Sequence, residues 1–173
     1  MHCTMTRQLK IFYIAIVFLY ATALSLAAQL KCTRVTDGDT IKVTNNGTTS
    51  TIRLVGIDAP ETSKRRHEPG QPYSKKSTKH HASLVLNKSV SIKSNGRDRY
   101  GRTLGVVYVD NINVNLEMVK QGLAEVYRGR PAKGFDNKPY HKAEAEARDA
   151  SLKVWSLGDK YMSRRERRKM KRN

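Results

Sequence analysis

Residues 52–61 read Ile52-Arg53-Leu54-Val55-Gly56-Ile57-Asp58-Ala59-Pro60-Glu61. The aliphatic run from Thr51 to Ile57 favours a strand, and Pro60 stops it, because proline has no N–H for a ladder. The same ten residues carry one arginine and two carboxylates. In a regular strand, residues five apart face opposite sides. Arg53 and Asp58 therefore share a site only if the alternation breaks between them. Gly56 is where a bulge or sharp bend is expected.

Upstream, Asn45-Asn46-Gly47 is a strong hairpin signal, since Asn and Gly accept positive φ. It joins Thr51–Ile57 to a preceding strand, Thr40–Val43. Asp37-Gly38-Asp39 makes the turn before that, and Lys31–Val35 is a further short strand. Downstream, Glu61–Gln71 holds Lys64, Arg65, Arg66, His67, Pro69 and Gly70 and reads as an exposed loop. Tyr73–Leu86 reads as a helix with Ala82, Val85 and Leu86 inward. Ser89–Ile92 is a fourth strand, Ser94-Asn95-Gly96 a turn, and Thr103–Val109 a fifth strand with half-buried alternation. Asn115–Gln121 is a short helix ended by Gly122. Tyr140–Leu152 is a third helix, with Ala143, Ala147 and Ala150 on one stripe. Three strands, a helix, two strands and two helices is the order of an α+β fold built on a five-stranded OB-type barrel.

The chain has 173 residues, enough for one domain, and no internal repeat. Lys and Arg outnumber Asp and Glu 33 to 15, a formal charge of +18. That excess points to a polyanionic partner: nucleic acid, acidic polysaccharide or an anionic membrane surface. Arg7 and Lys10 precede an apolar stretch, Ile11–Leu26, followed by small residues around Ala27 and Ala28. This reads as a signal peptide over 1–28 that directs the chain to the periplasm or outside the cell. The alternative is an uncleaved membrane anchor. A domain over 29–158 and a basic tail over 159–173 follow. A charge run of this kind is ordinarily solvated and disordered, or adds electrostatic grip on nucleic acid. Cys32 stands alone after cleavage, so no internal disulfide forms.

Acidic residues are scarce, so their placement is informative. Asp39 precedes the second strand and Asp58 ends the third. The hairpin therefore brings both to one end of the sheet. Two carboxylates there make a hard-oxygen site suited to Ca²⁺. No Cys or His cluster competes, which disfavours zinc. Arg53, and Arg102 at the start of the fifth strand, supply guanidinium groups that bind phosphate oxygens bidentately. Glu61 is a further carboxylate able to position or deprotonate water. Together these groups suit phosphodiester cleavage.

Thr36-Asp37-Gly38-Asp39-Thr40, then residues 52–61, then Asp98-Arg99-Tyr100-Gly101-Arg102 resemble the staphylococcal nuclease (thermonuclease) family. Val114-Asn115-Leu116, Gln121-Gly122-Leu123-Ala124 and Val154-Trp155-Ser156 continue the resemblance, which covers residues 31–157. It implies an OB-fold nuclease that is calcium-dependent, acts on DNA and RNA as a monomer, and leaves 3′-phosphate ends. It implies Asp39, Asp58 and the carbonyl of Ala59 as calcium ligands. Arg53 and Arg102 would hold the scissile phosphate, and Glu61 would be the general base. Arg99, Tyr100 and Tyr127 would contact substrate. The family's best-studied member has Thr at the Ala59 position, so a carbonyl contact survives the change but a hydroxyl contact does not.

Plainer readings apply to several residues. Asp37 is expected to cap its own turn. Asn115 is expected to be a buried structural amide, and Trp155 part of the core. Tyr100 is as readily explained by packing on the barrel. Lys75, Lys76, His80 and His81 are expected to form a solvated basic helix face. The competing function is a binding module without catalysis. It is disfavoured by the presence together of Asp39, Arg53, Asp58, Glu61 and Arg102.

Overall fold

Runs of β-branched residues broken by Asp-Gly and Asn-Gly turns give short strands that pair with their neighbours. The computed structural model describes residues 30–63 and 69–170. The signal segment expected over 1–28 lies outside the described residues, as do Lys64, Arg65, Arg66 and His67 of the expected loop. Strand β1 (Leu30–Asp37) turns into β2 (Thr40–Asn45), which pairs with β3 (Thr48–Leu54) from Thr40↔Arg53 to Asn45↔Thr48. Asn46 (φ 46°) and Gly47 (φ 81°) make that hairpin, both with the positive φ of a type I′ turn.

After helix α1 (Ser74–Val85), β5 (Ser89–Arg97) and β6 (Thr103–Val109) form the second hairpin. Strand β5 also pairs with β1 at Leu30↔Val90. Strand β6 runs parallel to β3 over Ile52↔Thr103, Arg53↔Leu104 and Leu54↔Gly105. That last pairing closes a five-stranded barrel, in agreement with the strand order read from the sequence. Inside it lie Cys32, Ile41, Val43, Ile52, Leu54, Val107 and Val109. Burying side chains of this size favours folding by roughly 1.5–3 kcal/mol each.

Strand β3 stops at Leu54. Gly56 has φ 79°, and the chain resumes as β4 (Ile57–Asp58), which pairs not with the barrel but with β8 (Glu125–Val126). The break expected at Gly56 is thus present. Between β6 and β8 lie β7 (Ile112–Asn113) and α2 (Val114–Lys120), whose first turn is capped by Asn113 accepting from Leu116 N at 3.0 Å. Asn115 is fully buried. Its amide donates to the carbonyls of Val55 (2.9 Å) and Gly105 (3.0 Å) and accepts from Val107 N (3.0 Å). It is a structural pin across the barrel seam, as expected. Helix α3 (Lys138–Asp149) packs on α2 and leads into a 3₁₀ stretch, Lys153–Lys160. Trp155 is buried there with Ala147 and Val154, edge-on to Tyr161 at 4.9 Å.

Four local expectations are corrected. Ser94-Asn95-Gly96 is not the turn: β5 continues to Arg97 through a register shift, with Gly96 at φ 101°. The reversal is Asp98–Gly101, closed by Gly101 N donating to Asp98 O at 3.0 Å. Helix α1 buries Ser74, Ser77, His81 and Val85, while Leu86 is 39% exposed beyond its end. His81 is therefore no part of a solvated face; its Nδ1 donates to the Asp37 carbonyl at 3.0 Å. The tail is also not wholly irregular, since Arg164–Met170 form helix α4.

Burial pushes the His81 imidazole down to about 4 from 6.5. The unfolded chain takes up this proton near 6.5 and the folded chain resists until about 4. Stability is thus full above 6.5 and falls as the pH drops toward 4. The shift corresponds to roughly 3 kcal/mol. Between pH 7 and 4 the stability of the wild type read from urea unfolding should fall relative to that of His81→Leu. Asn115→Ala removes three buried hydrogen bonds and should cost about 3 kcal/mol, at the upper end of the penalty for orphaned buried groups, read from urea midpoints at pH 7.

Candidate active site

The β1–β2 turn delivers the first carboxylate. Asp39 N donates to Asp37 Oδ1 at 3.1 Å, an Asx turn. A Cβ on Gly38 would lie 2.0 Å from Ser77 Oγ and 2.6 Å from the Ala59 methyl, so only glycine lets the turn seat against α1. Asp39 is then fully buried. It accepts from Thr40 Oγ1 at 3.0 Å and from Ala59 N at 2.9 Å. The second carboxylate, Asp58, is 4% exposed at the end of β4. The backbone turn at Gly56 aims it back toward Arg53. A Cβ on Gly56 would fall 2.2 Å from the Phe135 ring.

Arg53 lies between the two aspartates. Its Nη1 pairs with Asp39 Oδ1 and its Nη2 with Asp58 Oδ1, and Nη2 also donates to Ile57 O at 3.0 Å. A second guanidinium approaches from the opposite direction. Arg164, the first residue of α4, contacts Asp39 Oδ2 through Nη1, which also lies 3.6 Å from Asp58 Oδ1. Its Nε donates to Glu61 Oε1 at 2.9 Å. Burial alone would lift the Asp39 pKa. The charges of Arg53 and then Arg164 outweigh it and hold that carboxyl well below the usual range. Asp37, by contrast, is pushed up to about 6 by burial and by the Asp39 charge. Glu125, opposite Asp58 in the β4–β8 ladder, is pushed up to about 7, chiefly by burial.

Glu61 is held from behind. Its N–H donates to Gln71 Oε1 at 2.8 Å and its carbonyl accepts from Gln71 N at 2.9 Å. Arg102 donates through Nε to Asp98 Oδ2 at 2.7 Å and stacks 5.6 Å from the Tyr100 ring. Arg99 lies over the same ring at 4.8 Å and donates to its hydroxyl at 2.7 Å. Tyr100 is 68% exposed, so it does not pack on the barrel; Tyr127 is 42% exposed. Arg53, Asp58, Glu61, Arg99, Tyr100, Arg102 and Tyr127 line one cleft of about 780 Å³. Asp39 and Ala59 are buried and do not line it; Asp39 is joined to it through Arg53.

The donor chemistry suits one small hard cation. Asp39 Oδ2 and Asp58 Oδ1 already face a common positive atom, the Arg164 Nη1, which stands in for such an ion. Among the described residues no group of three or more His, Cys, Asp or Glu side chains gathers around one point. The fit is therefore to a cation that takes the rest of its shell from water, backbone and phosphate oxygens. Soft-metal sites built on Cys or His are not supported.

The sequence reading missed Arg164, Gln71 and Glu125. Arg164 was obscured by its basic neighbours. The available signal was Ser163-Arg164-Arg165-Glu166, a capping box. Ser163 N donates to Glu166 Oε2 at 2.8 Å, and Glu166 N to Ser163 Oγ at 3.2 Å.

Residues 51–157 match the family described as Staphylococcal nuclease homologue. The SPbeta prophage-derived endonuclease YokF of Bacillus subtilis is 40% identical over 127 residues, covering 71% of this chain and 42% of that protein. The chain thus spans less than half the length of YokF. A micrococcal nuclease of Shigella flexneri is 37% identical over 134 residues, 71% of each chain. A thermonuclease of Staphylococcus hyicus is 34% identical over 128 residues, covering 73% of this chain and 75% of that one. The chain belongs to the staphylococcal nuclease family.

Gly56→Ala forces a side chain into positive φ and against Phe135. It should cost about 2 kcal/mol, measured as a lower urea midpoint with an unchanged slope.

Proposed function

We propose that the chain is an exported, calcium-dependent endonuclease that hydrolyses phosphodiester bonds of DNA and RNA, leaving 3′-phosphate ends. The observation that carries this is the convergence of Arg53, Asp58, Glu61 and Arg102 on one open cleft, with the buried Asp39 ion-paired to Arg53. Nuclease names among relatives from several bacteria support it. Calcium rests on the all-oxygen donor set and the family resemblance.

Asp39, Asp58 and the Ala59 carbonyl would hold the cation, which supplies electrophilic stabilisation of charge on the phosphoryl oxygens. Arg102, braced by Asp98, presents a guanidinium to the phosphate from the cleft wall. Arg53 anchors the two aspartates through both Nη atoms, which leaves its Nε–H and its charge to act on the same phosphate. Glu61 accepts a proton from water whose oxygen bonds to phosphorus. The bond from phosphorus to the 5′-oxygen breaks, and that oxygen takes up a proton. The phosphate stays on the 3′ side. Tyr100 and Tyr127, exposed in the cleft beside Arg99, offer stacking faces. These favour single-stranded or flexible substrate. Export rests on the apolar run Ile11–Leu26 with Arg7 and Lys10 before it. The enzyme acts as a monomer, and membrane attachment follows only if that segment is retained.

Digestion of single-stranded DNA should require calcium and stop with excess chelator. Glu61→Ala should lower the rate about 10²–10⁴-fold, the usual contribution of a general base. Tight binding without cleavage under calcium, manganese and magnesium would show a nucleic-acid binder instead.

A further inference from the structure

We propose that the C-terminal segment is a built-in latch: residues 162–170 dock beside the cleft, and Arg164 reaches into it and occupies the cation's place until a divalent ion displaces it. The proposal rests on the metal reading of Asp39 and Asp58 given above.

The docking is specific. Gln71 Nε2 donates to Met162 O at 2.8 Å, the same Gln71 that clamps Glu61. Arg164 N donates to Glu125 Oε1 at 3.1 Å, next to Asp58 in the β4–β8 ladder. Arg167 Nη2 donates to Pro69 O at 3.1 Å, two residues before Gln71. The segment thus bridges the loop after β4 and strand β8, with the Arg164 side chain inserted between them.

Shared oxygens make the two states exclude each other. Arg164 and the ion need the same oxygens, since Nη1 contacts Asp39 Oδ2 and faces Asp58 Oδ1. The segment is also built to leave. No described side chain of α4 is fully buried, and Met170 is 65% exposed. Polar contacts hold the segment beyond Tyr161, so its release uncovers little apolar surface while Tyr161 stays on Trp155.

Competition of this kind is reciprocal: removing Arg164 must tighten the ion, and the ion must loosen the segment. Calorimetric titration of the full chain with calcium should give about tenfold tighter binding for Arg164→Ala than for wild type. Equal or weaker binding in the variant overturns the latch while leaving the nuclease reading intact. If wild type and variant both fail to bind calcium, manganese and magnesium, the latch and the metal reading fall together. Should Arg164→Ala not fold, hydrogen exchange on the wild type decides. The amides of 164–170 should lose protection under saturating calcium, and unchanged protection overturns the proposal.

Discussion

Two buried carboxylates at one end of a barrel repel each other, and burial makes each more costly to ionise. Asp39 and Asp58 exist as a pair only because cations share them. Arg53 is the permanent one. It stands on the rung opposite Thr40, one residue from Asp39, and reaches Asp58 because the chain bends back at Gly56. The hairpin, the bend and the short β4–β8 ladder all serve this arrangement. In the structure Arg164 is a second cation on the same pair.

The rest of the cleft is arranged around that acid pair with little strain. Asp98 caps its own turn and braces Arg102, so the second phosphate-facing arginine is held by local geometry. Tyr100 gains its exposure from the same turn, with arginines on its ring in place of a hydrophobic pocket. Gln71 ties both backbone groups of Glu61, so that carboxylate is fixed from the loop side.

Much of this was legible in the sequence because it depends on local chemistry. The hairpin at Asn46-Gly47, the bend at Gly56 and the structural role of Asn115 each follow from what those residue types do. Asp39, Asp58 and Glu61 stood out as sparse acids at strand ends, and the structure places the first two on Arg53. What escaped depends on distance along the chain. Arg164 lies 125 positions from Asp39, at the head of a strongly basic run. His81 looked like part of a basic face because Lys75, Lys76, Lys79 and His80 surround it. Helical spacing from Ser77 to Val85 turns it inward instead. Asn95-Gly96 has the composition of a turn, yet cross-strand pairing with β6 carries β5 past it as a bulge.

The barrel closes through a parallel pairing of β3 with β6, pinned by the Asn115 amide on both strands. Arg53 lies on one of these strands and Arg102 immediately precedes the other, beside the Ile52↔Thr103 rung. The seam therefore works as a gauge. A slip of one residue would move Arg102 by about 3.3 Å and turn the strand's side chains to the other face. The spacing of the two cleft arginines is thus inherited from how the barrel closes.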